Sequence, residues 1–281
     1  NSNNYSNNSS NFEENANYDL FTTLKIDSSL PMQKKFKNFT HQIKPIVSFR
    51  FSPNGNSDIS SKDILLNYDN VFSLNRIGTA HEVEGGESLS LGLEFNKLNN
   101  NGLRLIDFKV ANVLKSRENY KLPKKSKLNK TRSDIFGNLD FSLNDNLKFG
   151  YSFSHDRDLK HSNLEQLDIK YSVNNFFTNF SYYTEDNNIG NKENIKNKTS
   201  FNFNDENKLS FEIAKNLKDD FTQFYNLMYV YETDCISFNI NYNKSFFRDG
   251  NLEPNKSISF LVKIIPFTEL GVSNVRSLIG R

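Results

Sequence analysis

Residues 139–153 read LDFSLNDNLKFGYSF. Leu139, Phe141 and Leu143 alternate with polar residues, a polar break follows at 144–146, and the alternation resumes at Leu147, Phe149, Tyr151 and Phe153. A period of two sends every apolar side chain of a strand to one face. The stretch therefore predicts an antiparallel hairpin, apolar on one side and polar on the other. The same pattern recurs at Phe201, Phe203, Leu209, Phe211 and Ile213; at Tyr225, Leu227, Tyr229 and Tyr231; at Ile236, Phe238, Ile240 and Tyr242; and at Ile258, Phe260, Val262 and Ile264. Helical periodicity is nearly absent.

About thirteen strands are expected on this pattern, near 17–27, 37–51, 88–97, 102–114, 133–143, 147–156, 164–173, 176–184, 197–204, 208–216, 221–231, 235–247 and 257–266. Most run about 9–11 residues, the length a tilted strand needs to cross a bilayer. Connections alternate in length. Those near 98–101, 144–146, 174–175, 205–207 and 232–234 are short; those near 52–87, 115–132, 157–163, 185–196 and 248–256 are mostly long, with 217–220 the weak case. Tight turns at one end and longer loops at the other are the habit of an outer-membrane β-barrel. The fold class expected is all-β: an antiparallel transmembrane barrel of which this is the C-terminal part, because an odd strand count entered from the long-loop side does not close an even-stranded barrel. The expected organisation is a disordered or outer-loop segment over 1–16, the C-terminal portion of the barrel over 17–266 and a periplasmic tail over 267–281.

Composition agrees with that class. The chain has 281 residues, 26 Phe and 12 Tyr, one Cys and a formal charge of +2. A near-neutral balance gives no reason to expect nucleic acid as a partner. No apolar run reaches the roughly 18 residues of a helical span. The histidines His41, His81, His155 and His161 are scattered and fit no metal spacing, and neither a nucleophile elbow nor a phosphate loop is present. Neither enzyme activity nor a cofactor is expected. The cluster Ser-His155-Asp156-Arg157-Asp158 is read as a charged loop.

Three features are candidates for function. Cys235 opens a two-faced strand just after a short turn; in an oxidising periplasm it pairs with a cysteine elsewhere, or it is a free or shielded thiol. The long loop 52–87 carries apolar anchors (Ile64, Leu65, Leu66, Val71, Phe72, Leu74) and the residues Asn75, Arg76, Gly78, Glu84, Gly85 and Gly86. It either plugs the lumen or is a mobile outer loop. The basic run KLPKKSKLNK over 121–130, with Lys121, Lys124, Lys125 and Lys127, either contacts lipopolysaccharide phosphates or is a solvated loop.

In order along the chain, THQIKPIVSFRFSPN (40–54), NYDNVFSLNRIGTAHEVEGGESLSLGLEF (67–95), RSDIFGNLDFSLNDNLKFGYSF (132–153) and YETDCISFNINYNKSFFRDGNLEPNKSISFLVKI (231–264) resemble the C-terminal barrel region of the LptD family, in its alphaproteobacterial flavour. That resemblance implies a 26-stranded barrel preceded by a periplasmic domain. It implies lipopolysaccharide as cargo, received from a periplasmic Lpt bridge and released through a lateral gate into outer-membrane lipid, with an LptE-like lipoprotein in the lumen. It implies that Cys235 pairs with a cysteine of the preceding domain. It also makes the stretch Ser257, Ile258, Ser259, Phe260, Val262, Lys263, Ile264 and Pro266 the last strand and one side of the gate. Pro266 eases that seam or merely ends the strand. The resemblance is imperfect: a single cysteine stands where many members have two, and Gly78-Thr79-Ala80-His81 stands where they often have Gly-x-Asp-Arg. Two rivals share the pattern, a generic porin or TonB-type transporter barrel and a soluble all-β binding protein.

Overall fold

The computed structural model describes residues 21–272 apart from 54–57, 63, 79–82, 126, 187–190, 247–254 and 265–267. The described chain is almost entirely antiparallel strand: β1 Leu24–Ser29, β2 Met32–Lys35, β3 Phe39–Ser52, β4 Gly86–Asn99, β5 Arg104–Lys115, β6 Ile135–Ser142, β7 Leu147–His155, β8 Ser162–Val173, β9 Phe176–Glu185, β10 Lys192–Asn202, β11 Asn207–Asn216, β12 Phe221–Glu232, β13 Ile236–Ser245, β14 Asn255–Ile264 and β15 Thr268–Val272, with one helical turn, α1 Tyr68–Val71. Hydrogen-bonded neighbours follow chain order from β1 and β3 through to β15, and β2 pairs with β3 alongside β1. No described helix is long and apolar enough to cross a membrane, which says nothing about strands.

Two compact units divide the chain. The first holds residues 1–103, 107–138 and 154–162; the second holds 104–106, 139–153 and 163–281. In the first, β1 and β2 are two halves of one leg lying along β3, from Leu24↔Phe51 to Lys35↔Thr40. The break falls at Leu30-Pro31, opposite Pro45. A proline has no N–H to give a ladder, and here Pro45 stands opposite Leu30 and Pro31 one residue further on, so two neighbouring rungs are lost; Leu30 N–H still donates to Pro45 O at 3.2 Å. Of the strand expected at 17–27, residues 24–27 are strand, and the leg continues through β1 and β2 to Lys35.

Register fixes the faces. In the first unit Val47, Phe49 and Phe51 of β3 lie opposite Leu91, Leu89 and Glu87 of β4, and Ile43 lies opposite Phe95. Val47, Phe49, Leu91 and Leu93 are exposed. On the opposite face Ser48, Arg50, Ser52, Ser88 and Ser90 are buried. This is the reverse of a water-soluble sheet, where apolar faces are covered and polar ones wet. In the second unit Ile236, Phe238, Ile240 and Tyr242 of β13 oppose Ile264, Val262, Phe260 and Ile258 of β14 on one face. Ser237, Asn239, Asn241 and Asn243 oppose Lys263, Leu261, Ser259 and Ser257 on the other. Ile236, Ile258, Phe260 and Ile264 are exposed. On the polar side Ser200 and Ser210 are buried, their hydroxyls 2.8 Å apart.

Several short turns share one device. Asn99 Oδ1 accepts from Asn101 N and Leu103 N, Asn144 Oδ1 from Asn146 N and Leu147 N, and Asn204 Oδ1 from Glu206 N and Asn207 N. An asparagine at the head of the turn supplies the acceptor that the reversing backbone lacks, one physical use for the abundant Asn.

The structure corrects the C-terminal end of the expectation. β14 is not the last strand: β15 follows and pairs with it from Phe260↔Val272 to Ile264↔Thr268. Among the described residues, counting β1 with β2 as one leg gives fourteen legs in hydrogen-bonded order where about thirteen were expected, so the described strands do not carry the odd count. Residues 268–272 are strand and not tail. Ser257, Ile258, Ser259, Phe260, Val262, Lys263 and Ile264 stand one strand inside the described edge; Pro266 lies outside the described residues.

Candidate functional site

The loop from β3 to β4 packs onto the strands along its described length. Its helical turn is too short to persist alone. It is held by a reciprocal cap, in which Asn67 Oδ1 accepts from Asn70 N at 3.1 Å and Asn70 Oδ1 from Asn67 N at 2.9 Å. Ile59, Leu66, Tyr68, Val71 and Ile77 then bury against Ala111 and Val113 of β5, Phe136 of β6, and Leu122 and Leu128 of the next long loop. Ile59 N donates to Lys121 O at 2.9 Å, tying the two loops together. Both loops therefore cap the polar face of the first unit.

Two contacts seat the cap on the strands. Tyr68 Oη donates to Glu94 Oε1 at 2.9 Å. Phe72 lies on Gly92 of β4, where an added Cβ would come within 2.5 Å of the ring. Only glycine leaves that much room on the polar face.

Beside them lies a buried charge cluster. Arg76 grips Glu84 through two parallel bonds, Nε to Oε2 at 2.6 Å and Nη2 to Oε1 at 2.8 Å. Its remaining donors reach Ser90 Oγ at 3.0 Å and Ser88 Oγ at 2.9 Å on β4. Lys115 Nζ stands 3.1 Å from Glu84 Oε1 and donates to Leu128 O at 2.9 Å. Arg50 Nη1 donates to Glu84 O at 2.6 Å, and its Nε to Leu74 O at 3.0 Å. All four charged side chains are 3% exposed or less. A two-point guanidinium–carboxylate pair is the strong form of this interaction. Burial alone pushes the Glu84 carboxyl up, but Arg76, with Lys115 and Arg50, outweighs it and holds the group down to about 2. Gly78 and Gly86 bracket the segment at φ +74° and +92°, values that favour glycine. Over the cluster opens a cavity of about 550 Å³ lined by Gly85, Gly86, Lys115 and Arg117 among others.

The structure thus joins the loop residues singled out in the sequence, Arg76, Glu84 and the flanking glycines, to Arg50 and Lys115, which sequence reasoning missed. The basic run divides. Leu122, Pro123 and Leu128 are buried, Lys127 Nζ lies 3.5 Å from Asp134 Oδ1, and Lys121 and Lys124 are exposed near Asp58. Cys235 is exposed, in the turn before β13 rather than in the strand. Among the described residues no group of three or more His, Cys, Asp or Glu is placed to hold a metal ion.

A family model described as LptD, LPS transport system D, matches residues 1–216. Cys235, β13 and β14 lie beyond that match. No curated protein matches the chain. Among solved structures, one described as "Asymmetric conductivity of engineered proteins" is 8% identical over 85% of this chain and 88% of its own, with a TM-score of 0.39. Another, "Salmonella typhi OmpF complex with Daunomycin", is 13% identical over 87% and 84%, with a TM-score of 0.33. A match across most of the chain shows that the chain belongs to the LptD family.

Proposed function

We propose that this chain forms wall of an outer-membrane β-barrel that delivers lipopolysaccharide to the outer leaflet. The observation that carries the reading is the inverted polarity of the strands in each unit: in the first, exposed Val47, Phe49 and Leu91 on one face with buried Ser and Arg on the other; in the second, exposed Ile258 and Phe260 on one face with Ser and Asn on the other. A soluble sandwich would cover those apolar faces. In the barrel they face lipid, the polar face lines a passage for sugars, and the two folded loops cap that passage from outside. The long loops then mark the cell surface, and the short turns, with Cys235, the periplasm.

The finer reading follows. An LptE-like lipoprotein occupies the polar interior and a periplasmic Lpt bridge supplies the cargo. The lateral gate lies along β15 rather than β14, because β14 is paired on both sides. Lys121 and Lys124 are the lysines of the basic run open to lipopolysaccharide phosphate; Lys127 is engaged by Asp134.

Depletion of the protein in living cells tests the transport reading. Newly made lipopolysaccharide should stop reaching surface label and collect in inner compartments. Normal surface labelling together with lost uptake of a small solute would point to the generic transporter instead. The cysteine reading has its own check. Full-length protein from outer membranes should shift on a non-reducing gel when reductant is added, and Cys235→Ser should abolish the shift. Identical mobility in all four lanes would mean a free thiol.

A further inference from the structure

A second feature of the first unit lies on its apolar face. A groove of about 460 Å³ is lined by Leu91 and Leu93 of β4, Val110 and Leu114 of β5, and Ile135 at the start of β6. Val110 and Leu114 alternate with Ala111 and Val113, which are buried in the core beneath the loops, so they point the other way. The groove flanks a fault in the ladder. Leu114 and Arg132 form an isolated antiparallel bridge, and regular pairing resumes only at Ile135. Between them side chains supplement a thinned ladder: Ser133 N still donates to Val113 O at 2.9 Å, while Ser133 Oγ accepts from Val113 N at 2.9 Å, and Asn112 Nδ2 donates to Ser133 O at 3.0 Å and Asp134 O at 3.2 Å. Residues directly opposite in an antiparallel pair share a face, so Arg132 emerges beside Leu114.

Arg132 and Arg157 also line the groove, and none of its described lining residues is acidic. Both arginines sit in long loops, at the same end of the strands. Arg157 Nε is 3.2 Å from Asp158 Oδ1, with both side chains more than half exposed. A surface pair of that kind contributes little and yields readily to a better anion. Guanidinium groups suit phosphate in particular, offering parallel N–H donors.

An apolar trough ending in two cations fits an amphiphile with acyl chains and a phosphate. We propose that this groove is an annular site for one phosphorylated glycolipid of the surrounding outer leaflet. Its acyl chains lie along Leu91, Leu93, Val110 and Ile135, and its phosphate rests on Arg132 and Arg157. The site is separate from the polar passage, which lies on the other face. It rests on the membrane reading above, since that reading puts the apolar face in lipid and the long loops at the outer surface.

The test uses the full-length protein extracted from outer membranes and placed in phosphatidylcholine nanodiscs. Bisphosphorylated lipid A is titrated in, and bound equivalents are counted by native mass spectrometry. Wild type should hold one equivalent that the Arg132→Gln/Arg157→Gln variant binds about tenfold more weakly. Dephosphorylated lipid A should bind wild type as weakly as the variant binds the bisphosphate. Val110→Trp, which fills the trough and leaves both charges, should also lose that equivalent. Lipid on the polar face is untouched by these outward changes, so the readout is the loss of one equivalent and not of all. Equal retention by both variants, or equally tight binding of phosphatidylglycerol, overturns the proposal. Failure of the membrane reading looks different: the protein would then be recovered without detergent, away from the outer-membrane fraction.

Discussion

Glu84→Gln should free the loop between β3 and β4. The substitution keeps the shape of the side chain and removes its charge. Arg50, Arg76 and Lys115 then face one another with no described carboxylate among them. Breaking a buried ion pair by removing one partner costs about 3–5 kcal/mol, because the other charge stays in a poor solvent. The penalty falls on the loop and not on the strands, which keep their ladders. Loops open locally with their own free energy. Thermolysin cleavage within 58–85 should therefore speed up by about two to three orders of magnitude. Arg76→Met should cost less. The described cluster carries three positive charges against one negative; removing an arginine moves it toward balance, while removing the glutamate moves it away. The rank order of cleavage, Glu84→Gln above Arg76→Met above wild type, is the decisive reading. A change of less than a few-fold in Glu84→Gln would mean that the apolar anchors hold the loop without the ions.

The same cluster sets a pH expectation. Glu84 is held down to about 2, against an ordinary value of 4.5. A carboxyl depressed by folding stabilises fully above its unfolded pKa, and that contribution is lost as pH falls through the folded value. Loop protection should be flat from neutrality to about pH 5 and then decline toward pH 2. In Glu84→Gln this acid decline should be absent.

The strands were legible because period two is a local signal: each needs only its own ten residues or so to declare a face. Alternating loop lengths gave topology for the same reason. What the sequence concealed is non-local or short. β2 reads MQKK after a proline and has no apolar phase of its own; it exists because β3 offers a partner. β15 shows its phase only in Thr268, Leu270 and Val272, just past Pro266. The ion cluster was half visible. Arg76 and Glu84 share one loop, but Arg50 and Lys115 occupy the polar phase of two strands, 34 and 31 residues from Glu84. Nothing local separates them from any other cation on a polar face. The paired arginines of the groove were masked in the same way: Arg157 sits in a stretch that reads as charged loop, and Arg132 ends the loop expected over 115–132, ahead of a strand that the structure begins at Ile135.

Phe260→Arg and Ser259→Arg should differ sharply although they are neighbours. Phe260 lies mid-strand in β14, opposite Ile240, on the exposed apolar face. Ser259 lies opposite Asn241 on the polar face. If the apolar face meets hydrocarbon, arginine at 260 must carry its charge into the bilayer or snorkel out of it. The cost for a residue near the midplane is about 2–4 kcal/mol, falling toward zero at the interfaces. Arginine at 259 points into a polar interior and should cost well under 1 kcal/mol, within the range of ordinary surface changes. Reversible folding of the full-length protein into phosphatidylcholine vesicles, followed by urea titration, measures both. If they cost the same, the apolar face is not the lipid face, and the transport reading loses its physical ground. The asymmetry needs no knowledge of the gate or its partners. It rests on one strand whose neighbouring side chains meet opposite solvents, and the hairpin at 139–153 announces that property at the outset.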